Sequence, residues 1–274
     1  MKIMIFGANG MLGNDLVHSF KDYDAYAFGK KDIDITNKEL VAEKIATIKP
    51  EFVINAAAYT HVDKAESDKE SVLAVNAEGV KNIASACRKN NSILIHFSTD
   101  YVFDGSKNGY KENDKQNPIN VYGYSKYAGE KYLKQIGSRY YLIRTSWLYG
   151  LRGRNFVYAI LDLARNQEEI EVVNDQFGSP TYSKDLSEAV KYIIERKPEF
   201  GIYHRTNDGI CTWFDFARKI IEIKNLKTRI KPMTSAKLDR TAKRPRCSVL
   251  INTKLPKLRS WEIALKDFIT NELK

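Results

Sequence analysis

The stretch Lys2-Ile3-Met4-Ile5-Phe6-Gly7-Ala8-Asn9-Gly10-Met11-Leu12-Gly13 decides how the rest of the chain is read. Four apolar residues in succession fit a buried strand, the glycines permit a tight turn, and residues 14–21 continue with helix-like spacing. In such a strand–turn–helix unit, small residues let the backbone approach a pyrophosphate. The helix N-terminus then supplies amide donors and a favourable dipole. The spacing is GxxGxxG rather than GxGxxG, and a glycine turn in isolation is equally an ordinary strand–helix connection. Its surroundings give it weight.

Working outward, residues 25–28, 52–57, 93–98 and 140–144 are strand candidates, and residues 38–48, 71–90 and 125–135 read as helices between them. Strands alternating with helices of this length predict an α/β fold, a parallel sheet covered on both faces. Beyond Gly150 come helical patterns at 156–166, 183–196, 213–223 and 261–273, with strand candidates at 170–174 and 202–205. The expected division is a dinucleotide-binding domain of residues 1–149 plus roughly 168–198. A smaller, partly interleaved lobe takes roughly 150–167 and 199–274.

Composition narrows the class. In 274 residues, 43% are hydrophobic and 11% aromatic, which excludes a disordered or collagen-like chain. No apolar stretch approaches the roughly 20 residues of a membrane-spanning helix. The opening apolar run stops at Gly7, too soon for a signal peptide. Cys87, Cys211 and Cys247 lie far apart, so neither a disulfide framework nor a zinc site is indicated, and a reducing cytoplasm is expected. The net charge is +10, and residues 224–246 alone hold nine Lys/Arg against the single acid Asp239. Small polyanions are a sufficient use for that excess. No aromatic-rich nucleic-acid module surrounds it, which places a nucleic-acid partner last.

Two places carry chemistry. The second strand ends Phe28-Gly29-Lys30-Lys31, with no acid before Asp32, where a carboxylate would hold the ribose hydroxyls of NAD. Cations there favour the 2′-phosphate of NADPH, with NADH as the alternative; Asp34 is within reach of the adenine end. The second place is Tyr122 and Lys126, four apart and so on one face of a helix. An ammonium nearby stabilises tyrosinate and prepares the phenol to trade protons. Upstream, His96-Phe97-Ser98-Thr99-Asp100 would put the Thr99 hydroxyl at a strand's carboxyl end, although a structural cap explains a lone Thr equally well.

With these residues in place, the chain resembles the extended short-chain dehydrogenase/reductases, and within them the dTDP-4-dehydrorhamnose reductase branch. The resemblance rests on Asn55-Ala56-Ala57-Ala58-Tyr59-Thr60, Val62-Asp63-Lys64-Ala65-Glu66 and Ser98-Thr99-Asp100-Tyr101-Val102-Phe103. It continues through Arg144-Thr145-Ser146-Trp147, Asn155-Phe156-Val157, Asp175-Gln176-Phe177-Gly178-Ser179-Pro180-Thr181, Gly201-Ile202-Tyr203-His204 and Arg244-Pro245 with Ser248. Nearly the whole chain is covered.

The resemblance implies a Rossmann-like doubly wound fold and reduction of the C4 ketone of dTDP-4-dehydro-L-rhamnose, in the service of cell-surface polysaccharide. By the same likeness, Tyr122 would donate the proton, Lys126 would bind the nicotinamide ribose and depress the Tyr122 pKa, and Thr99 would hydrogen-bond the substrate oxygen. Gly7, Gly10, Met11, Leu12 and Gly13 would cradle the pyrophosphate. Lys30, Lys31, Asp34 and Ile35 would meet the adenosine end, and Ala58, Tyr59, Thr60 and Phe97 would line the cofactor. Asp100 and Trp147 would contact the sugar, while Asn155 and Gln176 would shape the nucleotide-sugar cleft. Some relatives bind magnesium at a dimer contact, but no motif here places a metal or fixes a homodimer. Related dehydratases carry Thr-Asp-Glu where this chain has Thr99-Asp100-Tyr101, which argues against water elimination. A reductase of another deoxysugar nucleotide and a non-catalytic regulatory subunit are the remaining alternatives; the intact Tyr122 and Lys126 favour an enzyme.

Overall fold

In the computed structural model, which describes residues 1–137 and 139–273, β1 (Lys2–Phe6) is buried from Ile3 onward. It runs directly into α1 (Met11–Ser19), followed by β2 (Asp24–Phe28), α2 (Lys38–Ile48) and β3 (Phe52–Asn55). Two short helices, α3 (Val62–Ala65) and α4 (Lys69–Leu73), lead through a π-type turn at Ala74–Glu78 into α5 (Gly79–Lys89). Next come β4 (Ile93–Thr99), α6 (Val121–Ile136), β5 (Tyr140–Thr145) and β6 (Leu148–Tyr149). After α7 (Phe156–Ala164) lie β7 (Glu169–Val173), β8 (Phe177–Gly178), β9 (Thr181–Tyr182), α8 (Ser183–Arg196) and β10 (Gly201–His204). The chain closes with β11 (Cys211–Thr212), α9 (Trp213–Ile223), β12 (Arg229–Met233) and α10 (Trp261–Asp267).

Six strands form one parallel sheet in the order β10-β5-β4-β3-β1-β2. The alternation within β1 shows why it is covered twice. Ile3 and Ile5 pack with Leu12 and Leu16 of α1 and Leu186 and Val190 of α8. Met4 and Phe6 face the other way, against Val41, Ile45, Val80, Ile83 and Leu133. The doubly wound α/β architecture expected from the sequence is therefore present. Strand order reverses between β1 and β3, and a crevice opens there at the carboxyl ends of the strands. No helix among the described residues is long and apolar enough to cross a membrane.

Two strands lie on the other side of the expected domain division. Gly201–His204, expected in the smaller lobe, pairs with β5 at the edge of the main sheet, because α8 packs on α1 and returns the chain there. Glu169–Val173, expected in the larger domain, pairs instead with β12. Ile170 and Val172 then pack into a second core with Tyr149, Tyr182, Phe216, Trp261 and Phe268. The strand β12 lies in the basic run, where lysines and arginines hide its register; Lys231 is paired with Glu169 at 2.7 Å. The helix expected at 71–90 is interrupted by the π-type turn. Asn76 within it is buried, donating to the Tyr59 carbonyl and to Ser125 Oγ, both at 3.0 Å.

One buried ion pair ties β4, β5 and α6 together. Arg144 on β5 donates to both oxygens of Glu130 on α6, from Nε at 2.8 Å and from Nη2 at 2.7 Å, with neither side chain exposed. Ser98 on β4 also donates to Glu130, at 2.7 Å, and Arg144 Nη1 reaches the Glu112 carbonyl at 3.0 Å. Removing one partner strands a buried charge, which costs about 3–5 kcal/mol. Arg144→Met is therefore expected to lose about that much stability in urea unfolding, and Arg144→Met combined with Glu130→Leu to recover much of it. A loss below about 1 kcal/mol in the single variant would contradict this account of the pair.

Candidate active site

Two adjoining cavities run along the carboxyl ends of the central strands and share Gly10, Ala56 and Ala58. The first, of about 250 Å³, is lined by Gly7, Lys30, Asp34 and Ile35. The second, of about 430 Å³, includes Met11, Leu12, Thr60 and Phe97, then Thr99, Asp100, Tyr122, Lys126 and Trp147.

The glycine turn is built for backbone approach. Gly7 has φ +77°, and a Cβ on it would lie 2.5 Å from the Ala57 nitrogen. A Cβ on Gly13 would lie 2.0 Å from the Gly7 carbonyl oxygen, so Gly13 packs helix against strand rather than lining the cavity. Gly10 is the N-cap of α1 and offers no side chain to its amides, and the first turn carries no acid. Those donors fit an anionic phosphate group. The helix begins at Met11, three residues before the sequence pattern suggested, because the turn itself supplies the cap.

At the adenosine end, Lys30 lines the first cavity while the exposed Lys31 lines neither. Burial opposes ionisation of Asp34, but hydrogen bonds from the Thr36 amide and hydroxyl, with the Lys30 ammonium nearby, hold its pKa below the ordinary carboxylate value. Ala58 and Thr60 line the cleft. Tyr59 between them is turned away, its hydroxyl donating to Asp68 at 3.2 Å and its amide to Asn76 at 2.9 Å.

The chemical end is set by the start of α6. Asn120 accepts from the Gly123 amide at 2.7 Å and starts the helix at Val121, four residues before the sequence pattern suggested. Tyr122 thus sits in the first turn and Lys126 one turn later, both facing the cleft. Gly123 lets the helix close on the end of β4; a Cβ there would lie 2.1 Å from the Tyr101 carbonyl oxygen. Tyr127 and Lys131 share the same spacing, but they line no part of the cleft, and the ammonium lies 5.7 Å over the ring centroid.

Lys126 is buried and donates from Nζ to the Phe97 carbonyl at 2.7 Å. Burial lowers its pKa to about 8, with the Glu130 charge opposing. The expected depression of the Tyr122 pKa is not what the structure shows. Burial pushes the phenol up to about 12; the Thr99 hydroxyl opposes this and the Asp100 charge adds to it. Desolvation dominates this shift, while the Lys126 ammonium donates to a backbone carbonyl.

Thr99 accepts from the Tyr101 amide at 3.2 Å and donates to Asp100 Oδ1 at 3.0 Å, so it is both cap and cleft residue. Asp100 Oδ2 is buried without a partner. Burial raises the Asp100 pKa to about 7, against the lowering influence of the Ser248 and Thr99 hydroxyls nearby. Asn155 and Gln176 do not line the cleft. Asn155 instead caps α7 and donates to the Gly150 carbonyl at 2.8 Å, pinning the loop that brings Arg154 to the cavity. Arg154, Ser146 and Thr145 are lining residues that the sequence reading missed; no spacing marks them, because Thr145 and Ser146 lie at the end of β5 and Arg154 in the loop before α7. Among the described residues no group of three or more His, Cys, Asp or Glu is placed to hold a metal.

Comparison with known proteins gives a consistent picture. The family model described as the RmlD substrate binding domain matches residues 1–273. A dTDP-4-dehydrorhamnose reductase of Aggregatibacter actinomycetemcomitans is 40% identical, over 97% of each chain. A dTDP-4-keto-6-deoxy-D-glucose reductase of Streptomyces niveus is 35% identical, over 96% of this chain and 94% of the relative. Among solved structures, the dTDP-4-dehydrorhamnose reductase of Bacillus anthracis in complex with NADP superposes with a TM-score of 0.95 at 40% identity, covering 98% of each chain.

The Asp100 pKa has a measurable consequence. It is raised from the ordinary 3.8 to about 7, so its contribution to stability is fully present below pH 4 and is lost as pH rises through about 7. Asp100→Asn cannot ionise, so its stability relative to wild type should grow from pH 4 to 7 and level off above. Urea unfolding at four pH values tests this, and parallel curves would contradict it.

Proposed function

The chain belongs to the RmlD substrate-binding-domain family, that of the dTDP-4-dehydrorhamnose reductases, and on that footing we propose that it reduces the C4 ketone of dTDP-4-dehydro-L-rhamnose with NADPH. The enzyme is an oxidoreductase with a nicotinamide cofactor. The observation that carries the reading is one cleft in which Thr99, Tyr122 and Lys126 face the bare glycine turn. When bound, the reduced nicotinamide supplies the hydride.

The residues of the chain do the rest. Gly7, Gly10, Met11 and Leu12 would receive the pyrophosphate, and Lys30 the 2′-phosphate, with Asp34, Ile35, Ala58, Thr60 and Phe97 lining the path between. Thr99 would turn its hydroxyl proton from Asp100 to the ketone oxygen and fix that oxygen beside the phenol. Tyr122 holds its proton at neutral pH, since its pKa lies at about 12, and gives it to the oxygen as negative charge develops there. Lys126 remains mainly cationic near pH 7 and anchors the ribose side of the cleft. Asp100 and Trp147 border the sugar. The expected setting is the cytoplasm, with a dTDP-sugar as partner; a homodimer and a magnesium ion carry no role in this reading.

A second reading of the sugar is favoured by one finding, that the Streptomyces niveus relative is named for a different 4-keto-6-deoxy sugar. Purified protein should oxidise NADPH with freshly made dTDP-4-dehydro-L-rhamnose and much more slowly with dTDP-4-keto-6-deoxy-D-glucose. The reverse order would select the second reading, and no oxidation of NADPH with either would defeat both. Tyr122→Phe should keep NADPH binding and lose about 10²–10⁴-fold in kcat. Lys30→Glu should cut the NADPH-over-NADH preference by at least about tenfold, the worth of one charged hydrogen bond; an unchanged ratio removes Lys30 from the phosphate site.

A further inference from the structure

Trp147 has φ +47°, in the left-handed region that a bulky side chain rarely occupies, so something must hold it there. Three contacts do. The Trp213 indole stacks on it with ring centroids 3.6 Å apart and planes 9° apart. Against the Nε1–Cε2–Cζ2 edge of the indole lies Gly178, where a Cβ would come within 2.4 Å of it. Phe156 in turn packs on Trp213 with centroids 4.6 Å apart.

The two direct contacts come from one small ribbon and the helix it leads into. The strands β8 and β11 pair antiparallel, with Cys211 opposite Gly178 and Thr212 opposite Phe177. Trp213 follows at once as the first residue of α9, which is fixed by the Thr212–Asp215 capping box. The ribbon therefore presents a bare glycine and a locked indole to Trp147 together. What remains uncovered of Trp147 borders the cleft that holds Thr99, Asp100 and Tyr122.

The geometry points to Trp213 as a positioning residue that fixes the Trp147 indole as an apolar wall for the deoxysugar ring. This rests on the reductase reading. A 6-deoxy sugar carries a methyl group where ordinary hexoses carry a hydroxymethyl group, and a rigid indole buries that methyl with no hydrogen bond left unmade. Trp213 acts through Trp147 and touches no reacting atom. Its loss frees the indole, so sugar affinity falls while dinucleotide binding, on the opposite lobe, stays as it is.

The test reads two signals that a merely structural role would not move together. Stacked indoles give an exciton couplet in the far-ultraviolet circular dichroism, and Trp213→Ala should abolish it. The same variant should raise KM for dTDP-4-dehydro-L-rhamnose roughly tenfold, with kcat changed less than about threefold and NADPH affinity unchanged. Trp213→Phe, which keeps an aromatic face, should restore KM to within about threefold of wild type. An unchanged KM in Trp213→Ala with the couplet gone would overturn the assignment. So would a parallel loss of NADPH affinity and sugar affinity, which marks a folding defect. Should the wild type itself fail to oxidise NADPH with this sugar, the reductase reading falls and takes this assignment with it. A working wild type beside an unaffected variant defeats the positioning role alone.

Discussion

The bidentate contact between Arg144 and Glu130 is the constraint on which the arrangement of the site depends. Two opposite charges inside a protein must satisfy each other and their remaining hydrogen-bonding capacity, or burial is unaffordable. Here the donors and acceptors converge from β4, β5, α6 and the loop after β4. His204 on β10 completes the set, accepting from Arg144 through Nε2 at 3.2 Å and donating from Nδ1 to the Ile251 carbonyl at 3.1 Å. Burial and the guanidinium keep that imidazole neutral at physiological pH, as this pattern of bonds requires. The helix that carries Tyr122 and Lys126 is thereby fixed in rotation and height above the sheet.

Given that helix, the chemistry follows from burial. Lys126 lies one turn before Glu130 and one turn after Tyr122, so one face of α6 runs from the buried ion pair to the phenol in the cleft. Desolvation raises the affinity of Tyr122 for its proton and lowers that of Lys126. Both shifts have the same origin, the cost of charge in a site that excludes water. On the proposed reading, a phenol that keeps its proton until an oxyanion forms beside it suits ketone reduction.

The basic excess has a structural disposition as well. Part of it is partnered across the lobes: Arg244 grips Asp63 with Nη2 donating at 2.6 Å, and the Ala242 amide donates to the same carboxylate at 3.1 Å. Asn120 Nδ2 reaches the Lys243 carbonyl at 2.8 Å from the N-cap of α6. The basic segment is thus fastened to α3 and to the start of α6 beside the cleft.

Periodicity and motif were enough to determine the doubly wound sheet, the glycine turn, and the facing pair of Tyr122 and Lys126. Each depends on neighbours within one turn or one strand, where local geometry follows directly from residue type. The start of α6 was misjudged because Asn120 reads as loop until its side chain is seen capping Gly123. The two-residue strands carry no period at all, and β7 and β10 changed places because strand pairing is decided by which partner is available. Only the tertiary structure decided that Tyr59, Asn155 and Gln176 stand outside the cleft while Arg154 enters it, and that Trp213 holds Trp147. It also reversed the sign of the Tyr122 shift. The sequence shows an ammonium four residues away, whereas the pKa answers to desolvation, and desolvation exists only once the chain has packed.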